Sequence, residues 1–332
     1  LQHVEAKTDE ELLQLALEGL ILKLDPFSSY LDADDMIRLQ QDTRGEYSGI
    51  GVELVPEGNY IRIITPIDSS PAYRAGIQPG DWITHVQGTA VKGLDVHAIN
   101  QLMSGEVGTE VALIILRNGE ELKFALTREI ITTKSVRSEL MAGNVAYLRI
   151  SHFQDHTGQD LVEQMERLKL AGADRWLLDL RNNPGGTLAA AAEVADAFLT
   201  EGIIVTTKAR QRHGNMRFDA SSTDPSEGWP LAILINNGSA SASEIVAGAI
   251  KDHQRGQLVG NTSFGKGSVQ SIIALPEGAG VKLTTAYYYT PDGHNIHLKG
   301  IEPHLKIDNT SIEDDLQLTS ALDLVNFLDA KK

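Results

Sequence analysis

Five uninterrupted apolar residues, Leu231–Ile235, run into the polar turn Asn236-Asn237-Gly238. A second strand-length stretch, 176–180, apolar except for Asp179, ends in Arg181-Asn182-Asn183-Pro184-Gly185-Gly186. Such runs fall far short of the ~20 residues a membrane helix needs. They have the length of strands buried on both faces. From about residue 132 they alternate with helical periodicity: strands at 145–150, 176–180, 203–207, 231–235 and 257–260, helices at 158–170, 188–199 and 244–253, then strands at 269–274 and 281–289. That alternation predicts βαβ units around a largely buried sheet. The stretch 210–230 is polar with Gly and Pro, and is expected to form a long surface loop or flap.

The chain before residue 132 has two other textures. Residues 9–24 predict an amphipathic helix with Leu12, Leu13, Leu15, Leu17 and Leu20 broadly on one side, stopped by Asp25-Pro26-Phe27-Ser28-Ser29. A second helix is expected over 33–41, with Asp32 or Asp34 near its N-cap. From Tyr47 glycine-bearing turns separate short strands, and Asn118-Gly119 joins the strands 110–116 and 121–126 in a tight hairpin. The expected fold class is therefore α/β and multi-domain. A helical N-terminal segment (1–46) precedes a β-rich unit with two helices (47–128), an α/β core with a mixed sheet (129–308) and a C-terminal helix (309–332).

Charge and composition remove several functions. With 45 acidic against 29 basic residues the net charge is −16, which disfavours nucleic acid and anionic membrane partners. The absence of cysteine excludes disulfides, thiolate metal sites and a cysteine nucleophile. No HExxH and no close His/carboxylate cluster stands along the chain, so neither a metal nor another cofactor is expected. The chain starts at Leu1, not Met, and a signal peptide or anchor is expected to have preceded it.

Three segments carry candidate chemistry. In Gly-Ser-Ala-Ser-Ala-Ser-Glu-Ile (238–245) small residues separate a buried strand from a helix. A serine there can cap the helix, or can project its hydroxyl beside unpaired helix N–H groups suited to an oxyanion. Three alternating serines cannot all cap one helix. A serine nucleophile needs a base. No histidine is tied to this serine by sequence, and a lysine serves only if burial makes its ammonium costly. In Phe-Gly-Lys-Gly-Ser-Val-Gln (264–270), Lys266 lies between glycines before an apolar strand. Gln270 falls on the same strand face, where its amide oxygen can accept from the lysine. The glycines of Leu-Asp-Leu-Arg-Asn-Asn-Pro-Gly-Gly (178–186) can offer a second oxyanion donor, while Asp179 and Arg181 are expected to brace the turn as a charge pair. A surface lysine in a glycine-rich turn and a plain βα turn are the alternative readings.

Together these blocks resemble the carboxyl-terminal processing proteases, tail-specific serine peptidases of family S41, and residues 47–126 resemble that family's PDZ domain. The resemblance implies Ser241 as nucleophile, Lys266 (25 residues on) as base, Gln270 as third member, and the amides of Ala242 and of Gly185 or Gly186 as oxyanion donors. It implies that substrates are proteins with apolar, unstructured C-termini. These would be held by the loop Ser48-Gly49-Ile50-Gly51 and by a pocket of Ile50, Val52, Ile99 and Leu102. Arg128 is a candidate relay between PDZ domain and protease. Family likeness also implies a periplasmic or envelope location, an adaptor protein as a candidate partner, and the two terminal helices as candidate surfaces for a homo-oligomer. Two other functions are compatible with the sequence: a non-catalytic or gated PDZ peptide-binding protein on the protease scaffold, and a Ser/Lys amidase of small substrates.

Overall fold

The computed structural model describes residues 7–57, 60–67, 69–94, 96–210, 214–308 and 314–329. The chain divides into two compact units, one of Leu1–Arg44 with Lys134–Lys332 and one of Gly45–Thr133.

The first unit is built on a six-stranded sheet ordered Val136–Met141, Val145–Ile150, Arg175–Asp179, Leu231–Ile235, Gln257–Gly260 and Leu305–Lys306. Its first pair is antiparallel and the rest are parallel. Both faces are covered, which is why Leu231–Ile235 is apolar without interruption. Leu231, Ile233 and Ile235 pack into the core with the helices Thr157–Leu170, Leu188–Asp196 and Ala242–Asp252. Ala232 and Leu234 face Ala321 and Val325 of the helix Leu316–Asp329. Residues 309–313 and 330–332 of the expected C-terminal helix lie outside the described residues.

A second, antiparallel sheet centres on Gly280–Tyr289, which pairs with Ser29–Leu31, Ser268–Ala274 and Ile203–Ala209. The segment expected as a loop over 210–230 contains a strand, Arg217–Asp219, because its backbone closes on Ile203–Ala209. Asp32 Oδ1 accepts from the Asp35 amide (2.7 Å) and caps the helix Ala33–Arg44. Among its described residues the helix Asp9–Leu22 buries only Ile21 fully, while Leu13, Leu15 and Leu20 are more than half exposed. No helix among the described residues is long and apolar enough to cross a membrane.

The second unit has the strands Val52–Glu57, Tyr60–Pro66, Trp82–Val86, Glu110–Arg117 and Glu120–Thr127 in one sheet, with Thr89–Ala90 beside Trp82–Val86. Asn118 and Gly119 both take positive φ (52° and 87°), as a two-residue hairpin of that chemistry requires. The unit is closed outside 47–128 by Glu46–Gly49 pairing with Glu129–Thr132.

Candidate active site

The strand-to-helix turn separates the three serines. Ser239 is buried, donating to the Leu180 carbonyl (2.8 Å) and accepting from the Asn236 amide (3.0 Å). Ser243 is buried and donates to the Asn183 carbonyl (2.9 Å). Both hydroxyls stitch the turn to the neighbouring loop. Ser241, between them, lines a cavity of about 380 Å³. It stands at the N-cap position of Ala242–Asp252 with φ 54° and ψ −112°, a backbone conformation a non-glycine residue holds only when its surroundings over-determine it.

What over-determines it is Glu244. This fully buried carboxylate accepts at Oε2 from the amides of Ser241 (2.8 Å) and Lys266 (2.9 Å), and at Oε1 from the Ser263 hydroxyl (2.6 Å) and the Gly265 amide (2.7 Å). One side chain thus ties the serine turn to the lysine loop. In the sequence Glu244 is an unremarked member of the segment 238–245. The signal that could have found it is an acidic residue three positions after an N-cap serine.

Burial, and secondarily the Lys282 ammonium, pushes the Lys266 ammonium below the ordinary lysine range, with Glu244 opposing. The flanking glycines admit close backbone approach. A Cβ on Gly267 would stand 2.6 Å from the His297 amide nitrogen, and one on Gly265 3.0 Å from that of Gly300. The aromatic wall is not Phe264, which is 58% exposed. It is Phe27, whose ring centre lies 5.2 Å from Lys266 Nζ. No hydrogen bond joins Lys266 Nζ to Ser241 Oγ or to Gln270. Gln270 instead donates to Ser268 Oγ (3.0 Å) and Thr284 Oγ1 (3.3 Å). Lys266, Ser268, Gln270 and Ser241 nonetheless line one cavity, with Leu188, Ile245 and Ile272 as apolar wall.

The glycine turn packs directly on the serine. Asn183, fully buried, donates to the Ile150 carbonyl and accepts from the Gly185 amide (both 2.9 Å). A Cβ on Gly185 would meet Ser241 Cβ at 2.8 Å, and one on Gly186 would meet the Phe153 carbonyl oxygen at 2.0 Å. Asp179 and Arg181 form the expected charge pair (2.7 Å), extended to Asp315 (2.8 Å) and Tyr147 (2.8 Å). Burial, then the Asp179 charge, raises the Tyr147 hydroxyl to about 12.

In the second unit Ile50 and Ile99 are packed in the core, while Val52 and Leu102 are half-buried at its edge. Gly51 holds φ 74° against Ser70, and Ser48 Oγ is buried without a partner. Arg128 is buried, donating to Met103 O (2.8 Å), Leu102 O (3.3 Å), Thr109 Oγ1 (2.9 Å) and Glu110 O (3.0 Å), all within its own unit. One cluster that sequence distance concealed is Asp252, Asp292 and His294, whose ligand atoms lie within 4.8 Å of one another at the end of the helix opposite Ser241. The fold thus gathers a His/carboxylate cluster that was not expected from the sequence.

A profile described as peptidase family S41 matches residues 144–307, and one for the PDZ domain matches 48–127. The chain is similar to a carboxy-terminal-processing protease of Bartonella bacilliformis, 42% identical over 92% of this chain and 72% of the relative. A carboxyl-terminal-processing protease of Synechocystis sp. is 38% identical over 93% of this chain and 76% of the relative. Among solved structures, a photosystem II D1 C-terminal processing protease superposes with a TM-score of 0.57 at 29% identity, covering 98% of this chain and 88% of that one.

Proposed function

The chain belongs to peptidase family S41 and is a serine peptidase of the C-terminal processing type with a PDZ domain, and on that footing we propose that Ser241 and Lys266 are its nucleophile and base. The observation that carries this is the sorting of the three serines. Ser239 and Ser243 spend their hydroxyls on backbone carbonyls, while Ser241 sits in the cavity that also holds Lys266.

In the proposed reaction Ser241 Oγ attacks the scissile carbonyl carbon and gives its proton to neutral Lys266 Nζ. The developing oxyanion is received by the amides of Ala242 and Gly186. Ala242 opens the helix, where an N–H lacks an intrahelical acceptor; of the glycine pair Gly186 is taken as the donor because the Gly185 amide is engaged by Asn183. Lys266 returns the proton to the leaving amine, and water then releases the acyl group by the same route. For this the lysine moves from the Phe27 face toward Ser241, and Gln270 Oε1 accepts from the amine while its NH₂ keeps the Ser268 and Thr284 hydroxyls.

The substrates proposed are proteins with apolar, unstructured C-termini, added as a strand to the PDZ unit near Gly49 to Val52. The bacterial relatives support a periplasmic location, and the exposed leucines of Asp9–Leu22 support self-association. The test incubates wild type, Ser241→Ala and Lys266→Ala with an unstructured protein, with and without its apolar C-terminal residues. Cleavage by wild type alone, slowed by truncation, is expected. Cleavage by either variant overturns the dyad, and equal cleavage of the truncated protein overturns tail selection.

A further inference from the structure

Lys266 is walled by a segment far from it in sequence. Asp25 builds a tight turn ahead of the strand Ser29–Leu31: its carboxylate accepts from the Phe27 amide (2.8 Å), the Ser28 amide (3.0 Å), Ser28 Oγ (2.6 Å) and Thr284 Oγ1 (3.0 Å). Ser28 is buried and accepts from the Thr284 amide (3.0 Å), so the turn is clamped to the strand Gly280–Tyr289 from both sides. The clamp presents the face of Phe27 to the Lys266 ammonium. Behind Phe27 the ring stands edge-on to His297 (6.2 Å), which in turn meets Tyr287 (5.0 Å). The same Thr284 hydroxyl that bonds Asp25 accepts the Gln270 amide (3.3 Å).

Resting on the Ser/Lys reading, we propose that Phe27 is a positioning residue of the proton-transfer machinery: its ring face holds the Lys266 ammonium in a resting place off Ser241, and the Asp25 turn holds Phe27 there. The charged and titratable groups around Lys266 are Lys282 and Tyr288 from Gly280–Tyr289, Glu244 from the nucleophile helix, Asp25 from the turn, and His297 behind Phe27. None of them is altered by changing Phe27. A ring face favours a lysine only while it is charged. Replacing it by an apolar group of similar bulk removes that preference and leaves the desolvation in place.

The experiment measures the rate at which a fluorophosphonate labels Ser241 in the full chain as a function of pH, with thermal unfolding as a check on each variant. Phe27→Leu is expected to move the acid limb of the profile down by about half to one pH unit, a three- to tenfold faster labelling on that limb. Phe27→Tyr, which keeps the ring face, is expected to leave the limb in place. If Phe27→Leu does not fold, Phe27→Met serves with the same expectation. A limb that stays put or moves up in the leucine or methionine variant overturns the proposal, as does a limb that moves equally in the tyrosine variant. Lys266→Ala separates this from failure of the dyad: labelling of that variant at the wild-type rate refutes Lys266 as base, whatever Phe27 does.

Discussion

Glu244→Gln is nearly isosteric, yet four close donors converge on this carboxylate in full burial, the amides of Ser241, Lys266 and Gly265 and the Ser263 hydroxyl, with the Tyr288 hydroxyl further off at 3.5 Å. An amide supplies one acceptor oxygen and one NH₂. The cheaper orientation keeps the oxygen toward Ser241 and Lys266 and turns the NH₂ toward Ser263, whose hydroxyl can reverse. The Gly265 amide cannot reverse and is left facing a donor. An unsatisfied buried donor costs about 1–3 kcal/mol, and the two retained bonds lose their charge assistance at about 1 kcal/mol each. The sum, about 3–5 kcal/mol, is a large part of the ~5–15 kcal/mol that holds a domain. The protein should therefore fold with a melting temperature lower by roughly 6–20 °C. Catalysis should suffer more than stability, because the serine turn and the lysine loop lose their common tie. A displacement of about 1 Å between reacting groups costs on the order of 100-fold. Differential scanning calorimetry and fluorophosphonate labelling of Ser241 read the two effects separately. An unmoved melting temperature with labelling within threefold of wild type would refute the reasoning.

Other outcomes follow from the same site. Peptide cleavage should rise with pH along a limb below the ordinary lysine range, because burial lowers the Lys266 pKa and the base must be neutral; Lys282→Gln, which removes a like charge, should move that limb up. A lysine whose pKa is lower folded than unfolded binds fewer protons in the folded state, so its burden on stability is full below the folded value and is lost as pH rises past the unfolded one. Lys266→Met should accordingly raise the melting temperature at pH 7, by about 1 kcal/mol of stability, while abolishing cleavage. Gly186→Ala drives a Cβ to 2.0 Å from the Phe153 carbonyl at φ 152°, and cleavage and melting temperature should both fall. Arg128→Ala removes four hydrogen bonds inside the PDZ unit and should speed hydrogen exchange over residues 102–110 by about 100-fold or more.

The central buried strand was legible because burial on both faces favours an apolar residue at every position: Leu231–Ile235 has the bounds its apolar run predicts, and Gln257–Gly260 has the bounds expected for it. The short partners were not. Ser29–Leu31 and Leu305–Lys306 exist because a neighbouring strand edge captures them, and three or two residues carry too little periodicity to announce it. The serine and lysine blocks were legible as local contrasts, small residues between a strand and a helix, and a cation between glycines.

What local contrast cannot carry is convergence. Phe264 is two residues from Lys266 and points to solvent, whereas Phe27 is remote in sequence and covers the lysine. Gln270 shares the expected strand face, but its amide is taken by Ser268 and by Thr284, whose hydroxyl also binds Asp25. Both facts trace to Gly280–Tyr289, the strand that brings the N-terminal turn and the lysine strand together. A lysine base needs an environment hostile to charge, and a single local segment supplies little apolar surface. On the Ser/Lys reading proposed above, that environment comes from three distant segments, and the lysine's surroundings include residues that look, in sequence, like a plain turn after a helix.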